Sequence, residues 1–290
     1  MPLALALSLH KAIGLVIYRC SRRSRSTVLR NLGLSFPELS SRQVDSLARR
    51  YFAALGASVA ETATAWCGSE RHLEGRFEVV GLEHLNEALA RGKGAILYTG
   101  HFTGLEICGR PLKARLPYFV CMFSHRSNPL MEEIQRRGRA RCAHESIASD
   151  QVRSLLGCLK KNAAVWYAPD QAPLASGATL IPFFAEPAMV NTSTSRLARI
   201  SGAAVLPFAY RRIDGEARYV LEILPPLEDF PSDDVVADTR RLTKLLEQFV
   251  RAAPEQYFWS LKKFRGRPGL PDPYGRNPTS TADAPLPKQP

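Results

Sequence analysis

What the chain lacks narrows its function before what it contains does. No Cys-x-x-Cys pair occurs: Cys20, Cys67, Cys108, Cys121, Cys142 and Cys158 are scattered along the sequence. Such spacing argues against a zinc site and against the disulfide framework of a small secreted domain, and it suits buried thiols in a reducing compartment. His125 and His144 have no partners at metal-ligand spacing. P-loop, GxGxxG and GxSxG patterns are absent, so nucleotide binding and a covalent serine mechanism lack support. No uninterrupted apolar run reaches the roughly 20 residues that a membrane span needs. Acidic residues are also scarce, 27 against 39 Lys and Arg, for a net charge of +12. That balance fits solvated surface, nucleic acid, an anionic membrane or an acidic protein. No RNP-type, zinc-finger or helix-turn-helix pattern is present, so nucleic acid is not an expected partner.

What is there suits a globular enzyme-sized domain. Hydrophobic residues make up 45% and charged residues 23% of 290 positions, enough to bury a sizeable core. The end differs: residues 276–290 are rich in Pro, Ser, Thr and Asp and predict a disordered tail.

At the other end, residues 3–18 are mostly apolar but interrupted by His10 and Lys11. The basic cluster Arg19, Arg22, Arg23, Arg25 and Arg30 follows the apolar stretch, whereas a signal peptide carries its positive charge first. A central lysine costs roughly 2.5–3.5 kcal/mol on insertion scales, which favours a helix lying in the membrane plane over a full span. Arginines beside such an anchor gain about 1 kcal/mol each near anionic headgroups and place this end in the cytoplasm. A buried N-terminal helix with a solvated flank reads from the same residues. Residues 1–70 are thus expected to form membrane-docking helices, attached peripherally or monotopically with this end in the cytoplasm, and residues 71–275 to form one α/β domain.

Periodicity supplies the rest of the outline. Residues 42–66 repeat apolar side chains at helical spacing. Further helices are expected at 82–91, 105–115, 129–139, 150–162, 194–201 and 238–252. Strands are expected at 77–80, 95–99, 118–123, 164–168, 204–210 and 218–223. The alternation predicts an α/β fold with a mixed, partly parallel sheet flanked by helices.

The sharpest chemical feature is Thr99-Gly100-His101-Phe102-Thr103-Gly104-Leu105-Glu106, leaving the end of a buried strand and opening a helix, where α/β sheets place their ligands. Five positions apart on a continuous helix, His101 and Glu106 would point about 140° apart. A turn over 102–104, made cheap by Gly100 and Gly104, folds them together. The Glu106 carboxylate then accepts a hydrogen bond from one imidazole nitrogen and leaves the other as a base. This resembles two members of a serine-protease triad with the hydroxyl supplied by the substrate. Because H-x4-E also arises by chance, a structural histidine reads equally from the spacing. The amides of Thr103 and Gly104 at the helix start are candidate oxyanion donors.

Three more places stand out. Arg126, in Phe123-Ser124-His125-Arg126-Ser127-Asn128-Pro129, is either a bidentate phosphate ligand or a surface arginine. Asp170, in Tyr167-Ala168-Pro169-Asp170-Gln171, either orients a site residue or caps a turn. Phe183 and Phe184 line an apolar channel or simply pack in the core.

In order along the chain, these segments resemble the lipid A biosynthesis acyltransferases, the late lauroyl/myristoyl transferases of the lysophospholipid acyltransferase superfamily. Arg30-Asn31-Leu32 with Phe36-Pro37-Glu38-Leu39 is similar to an N-terminal block, and Gly81-Leu82-Glu83-His84-Leu85 to the next. His101 through Glu106 resembles the catalytic H-x4-E motif. Arg126-Ser127-Asn128-Pro129, Pro169-Asp170-Gln171 and Ser195-Arg196-Leu197-Ala198-Arg199 resemble later blocks, and Pro254-Glu255-Gln256-Tyr257-Phe258-Trp259 with Lys263-Phe264-Arg265 the closing one. No block alone is specific; the ordered series is. Two departures stand out: His10-Lys11 interrupts the N-terminal stretch, and Leu261-Lys262-Lys263 replaces a histidine usual in the family.

The resemblance implies acyl transfer from acyl-acyl carrier protein to a hydroxyl of a lipid A precursor. His101 and Glu106 would be catalytic, Arg126, Asp170, Thr103 and Gly104 would contact substrate, and no cofactor or metal would be needed. It also implies acyl carrier protein and an anionic membrane lipid or glycolipid acceptor as partners. Acylation of another glycolipid or a lysophospholipid, and lipid binding without catalysis, remain compatible with the same residues.

Overall fold

The computed structural model describes residues 2–123, 128–171, 177–213 and 215–275. The expectations for Arg126 and for the tail 276–290 lie outside the described residues.

Three helices open the chain: α1 (Leu3–Cys20), α2 (Arg22–Ser35) and α3 (Ser41–Cys67). A capping box starts α3, with the Ser40 side chain accepting from the Gln43 amide and Gln43 reaching back to the Ser40 amide. The α1 helix runs antiparallel to α3. Its Tyr18 hydroxyl meets Asp45, while Gly14 lies against Phe52 and Gly56. A Cβ at Gly14 would stand 2.0 Å from the Phe52 carbonyl oxygen, and one at Gly56 would stand 2.0 Å from that of His10. Only glycine at both positions allows this approach. One face of α1 (Leu3, Leu7, Gly14, Tyr18) is therefore buried on α3, while Leu5, Leu9, Ile13, Val16 and Ile17 remain exposed. By length and composition α1 is apolar enough to cross a membrane. The α2 helix was not anticipated as an element; its arginines hid a buried Val28–Leu32 face.

Next come β1 (Phe77–Val80), α4 (Leu82–Ala90), β2 (Ala95–Tyr98), α5 (Leu105–Arg115), β3 (Phe119–Phe123), α6 (Pro129–Arg139), β4 (Glu145–Ala148), α7 (Val152–Lys160) and β5 (Ala164–Tyr167). A hairpin, β6 (Ala178–Phe183) and β7 (Glu186–Asn191), precedes α8 (Ser193–Ser201), β8 (Ala204–Arg212), β9 (Tyr219–Ile223) and α9 (Val235–Ala252). Seven strands form one sheet in the order β1-β9-β8-β2-β5-β3-β4. All neighbours are parallel except β8 and β9. The expected mixed sheet flanked by helices is thus present, with more parallel pairing than antiparallel.

β2 and β5 lie side by side at the centre, and every residue in both is buried. That is why they read as unbroken apolar runs rather than alternating ones. Their register pairs Tyr98 with Tyr167. The ladder continues one step further through the Thr99 amide and the Tyr167 carbonyl (3.0 Å). The carboxyl ends of these strands thus open side by side, on the edge where the functional loop begins.

Candidate active site

Parallel pairing brings the key residues together. His101 lies three positions past Tyr98 and Asp170 three past Tyr167, so two strands in register deliver them to the same level. The imidazole Nδ1 is 2.5 Å from Asp170 Oδ1, and the His101 amide donates to Asp170 Oδ2 at 3.0 Å. Asp170 is sealed at 1% side-chain exposure, whereas His101 stands 33% exposed. Nε2 has no protein partner among the described residues. A neutral imidazole donating from Nδ1 to the carboxylate leaves its Nε2 lone pair open to a substrate.

Burial pushes the Asp170 carboxyl up, but the adjacent imidazole and the Lys263 ammonium outweigh it and hold the group below the usual carboxylate range. Lys263 Nζ donates to the Asp170 backbone carbonyl at 2.5 Å and sits 4.6 Å from the centre of the Phe183 ring. Burial drives the Lys263 ammonium below its ordinary value, an effect that Asp170 partly offsets.

The loop around His101 is held from three sides. The Tyr210 hydroxyl accepts from the Phe102 amide and donates to the Gly100 carbonyl, each at 3.1 Å. The Gln256 carbonyl accepts from the Thr103 amide at 2.7 Å, and the Phe258 amide donates to the His101 carbonyl at 2.9 Å. Gln256 also clamps the Arg212 backbone, accepting from its N–H (2.8 Å) and donating to its carbonyl (2.9 Å). The closing segment of the chain is thus the outer wall of the site.

Two expectations are corrected. Glu106 does not meet His101. Its Oε1 accepts from Arg139 Nε (2.8 Å) and Nη2 (2.7 Å), and its Oε2 accepts from the Trp66 indole at 3.1 Å. The helix starts at Leu105, so Glu106 sits in its first turn and faces α6 and α3, where a buried guanidinium requires a counterion. The carboxylate at the histidine is Asp170. The second correction concerns Thr103, whose amide is spent on Gln256. Among the described residues the Gly104 amide has no acceptor, and Gly104 caps α5 at φ 77°. Of the other candidates, Phe183 and Phe184 pack with Tyr257, Phe264 and Trp259.

Near Gly104 lies a second buried carboxylate, paired with a cation. Glu61 on α3 pairs with Arg212 at the end of β8 and accepts from the Tyr219 hydroxyl at 3.0 Å. Sequence reasoning missed this pair, Tyr210, Gln256 and the role of Lys263. Only the last left a trace, as the lysines standing where a histidine is usual.

A family model for bacterial lipid A biosynthesis acyltransferases matches residues 1–266. The chain is 33% identical over 276 residues to the lipid A biosynthesis lauroyltransferase of Escherichia coli K12, covering 94% of this chain and 90% of that one. To the palmitoleoyltransferase of the same organism it is 34% identical over 269 residues, covering 92% and 87%. Among solved structures, a 1-acyl-sn-glycerophosphate acyltransferase from Thermotoga maritima aligns at a TM-score of 0.40 and 13% identity, over 88% of this chain and 97% of that one.

Proposed function

The chain belongs to the bacterial lipid A biosynthesis acyltransferase family, and from that premise we propose that it moves a fatty acyl group from acyl-acyl carrier protein to a hydroxyl of a lipid A precursor, with His101 as general base. The observation that carries this reading is the imidazole fixed through Nδ1 on Asp170 with Nε2 left open.

Nε2 takes the proton of the acceptor hydroxyl as that oxygen attacks the thioester carbonyl. The imidazolium so formed is stabilised by the Asp170 carboxylate. The tetrahedral intermediate then collapses by breaking the carbon–sulfur bond, and the imidazolium returns the proton to the departing carrier-protein thiolate. Proton transfer of this kind contributes about 10²–10⁴-fold. The Gly104 amide and the N-terminus of α5 are assigned as donors for the oxyanion. Glu106 acts as a positioning residue, tying α5 to α6 and α3. Arg126 is assigned the acceptor phosphate on sequence grounds alone. None of these steps requires a metal or a cofactor.

The net charge of +12 favours steering of an acidic carrier protein. The exposed apolar side of α1, followed by its arginines, supports docking on the cytoplasmic face of the inner membrane.

The test is acyl transfer to a lipid A precursor in detergent, comparing lauroyl, myristoyl and palmitoleoyl carrier-protein donors. Wild type should give product with at least one donor, and His101→Ala should lower kcat by about 10²–10⁴-fold. Near-wild-type transfer by His101→Ala would sink the base assignment; no product from wild type with any donor would sink the substrate assignment.

A further inference from the structure

The α6 helix, outside the N-terminal helices, carries an apolar face that nothing among the described residues covers. Leu130, Met131 and Ile134 are 67%, 52% and 43% exposed. Met131, Ile134 and Gly138 follow i, i+3, i+7 spacing, so they share one stripe. At its far end this stripe is seated, because a Cβ on Gly138 would stand 2.2 Å from the Trp66 ring of α3. Toward the helix start, the same stripe runs off α3 with its side chains bare. Leu130, Ile134 and Arg137 form the adjacent stripe, and the Arg137 side chain is 76% exposed.

The position of this face relative to α1 identifies its occupant. Both helices are mounted on α3. From the Gly14–Gly56 crossing, α1 runs back toward its N-terminus while α3 runs on toward Trp66. Leu5 lies about 14 Å along α1 from Gly14, and Trp66 about 15 Å along α3 from Gly56. The bare apolar residue Leu5 is therefore level with the α6 seat, and Leu9, about 8 Å along α1 from Gly14, lies between the crossing and that level. Val59, also exposed, stands on α3 between the two contacts. Arg137 borders the face with an aliphatic stem and an exposed head whose Nε pairs with Glu133 Oε1 at 2.6 Å, and such a side chain can snorkel to a headgroup layer. At its other side α6 is tied to the site through Arg139 and Glu106.

We propose that the Leu130–Met131–Ile134 face of α6 inserts into the acyl-chain region of an anionic bilayer, as a second membrane contact beside α1. Two contacts fix the tilt of the protein on the surface and bring the carboxyl edge of the sheet down to where a lipid hydroxyl emerges. The inference rests on the membrane docking proposed above, and the experiment separates the two.

An environment-sensitive fluorophore is placed on Met131→Cys, Leu9→Cys or Lys161→Cys in the full chain carrying Cys20→Ser and Cys67→Ser. Each protein is mixed with vesicles of phosphatidylethanolamine and phosphatidylglycerol containing spin-labelled acyl chains. Quenching is expected at positions 131 and 9 but not at 161, which precedes β5 at the opposite sheet edge. Quenching at 9 without 131 overturns the α6 contact and leaves the docking by α1 standing; quenching at neither overturns both. In parallel, Met131→Asp combined with Ile134→Asp should weaken vesicle partitioning about 10–100-fold while transfer to a detergent-dispersed acceptor is unchanged. Unchanged partitioning, or a lipid-free change from dimer to monomer in the double variant, overturns the proposal, the latter by assigning the face to a second copy of the chain.

Discussion

Two buried carboxylates, Glu61 and Asp170, are each paired near the carboxyl edge of the sheet, and the pairs are built to opposite ends. In Glu61–Arg212 both side chains are sealed, at 1% and 2% exposure. In Asp170–His101 the carboxylate is sealed at 1%, but its partner stands 33% open. Glu61 spends one oxygen on Arg212 and Tyr219, while its other oxygen has no hydrogen-bond partner among the described residues. Asp170 commits both oxygens to His101, one to the ring and one to the backbone amide. A closed pair holds elements together, here α3 to β8 and β9. A pair closed at the carboxylate and open at the imidazole holds a proton acceptor in place without satisfying it.

If that division is right, substitutions in the two pairs should separate activity from stability. The largest effect is expected for Asp170→Asn, which removes the charge that fixes and stabilises the imidazolium. Its kcat should fall roughly 10²–10⁴-fold, the range of a general-base contribution. The pH dependence of stability supplies a second readout. The folded Asp170 carboxyl titrates below its ordinary value, so its linkage contribution is fully present above about pH 4 and is lost as pH falls through the folded value. The stability difference between wild type and Asp170→Asn should accordingly be flat from neutral pH down to about 4 and shrink below it. A difference that grows on acidification would contradict the assignment of the charge.

Glu61→Ala should reverse the pattern. It leaves the Arg212 guanidinium buried without its carboxylate, a change that costs about 3–5 kcal/mol. Urea unfolding should show that loss, and replacing both partners together, Glu61→Leu with Arg212→Met, should recover much of it. If Glu61→Ala instead abolished transfer while unfolding like wild type, the two pairs would not differ as described.

Glu106→Gln is the sharper case, because the spacing of the motif suggested one partner and the fold supplied another. The substitution keeps the shape and removes the charge from the Arg139 contact, so a loss of about 1–2 kcal/mol in stability and at most about tenfold in kcat is expected. A fall in kcat as deep as that of Asp170→Asn, with stability intact, would mean that Glu106 reaches His101 in the working complex.

The same residues show what the sequence could reveal. His101 and Asp170 were each legible as strand-end residues, since β2 and β5 are buried on both faces and their apolar runs end visibly. Their pairing was not legible, because it depends on which strands are neighbours and in what register, and β5 becomes the neighbour of β2 only after the chain has passed through β3 and β4. The H-x4-E spacing misled for the complementary reason. It ranks partners by distance along the chain, whereas Arg139 and Trp66 reach Glu106 from other helices. The β6–β7 hairpin was not among the expected strands, and it contains Pro182 and Pro187, which carry no N–H for a ladder. They pair with each other in a two-stranded ribbon, where a missing N–H costs no ladder bond on an open edge. The short strand β4 gave no signal because its exposed Glu145 and buried Ala148 neither alternate nor form an apolar run.

Lys263 offers the smallest effect and the finest discrimination. As a buried ammonium with a depressed pKa it is a burden on the folded state: the unfolded chain binds its proton more tightly, so the penalty is present at neutral pH and is relieved as pH rises toward the ordinary lysine value of 10.5. Lys263→Met removes that burden along with the hydrogen bond to the Asp170 carbonyl, so stability at neutral pH should change by less than about 1 kcal/mol, in either direction. Activity should not be spared. Without the ammonium the Asp170 carboxyl loses one of the charges that hold it down, so it protonates at higher pH. The acid limb of the kcat profile should move upward where this carboxyl sets it, and loss of the hydrogen bond that positions the Asp170 backbone should lower kcat at neutral pH about three- to tenfold with KM little changed. Lys263→Arg, which keeps the charge but not the fit to the carbonyl, should restore the position of the acid limb more fully than the rate. If Lys263→Met left the acid limb in place, the lysine would be packing against Phe183 and nothing more.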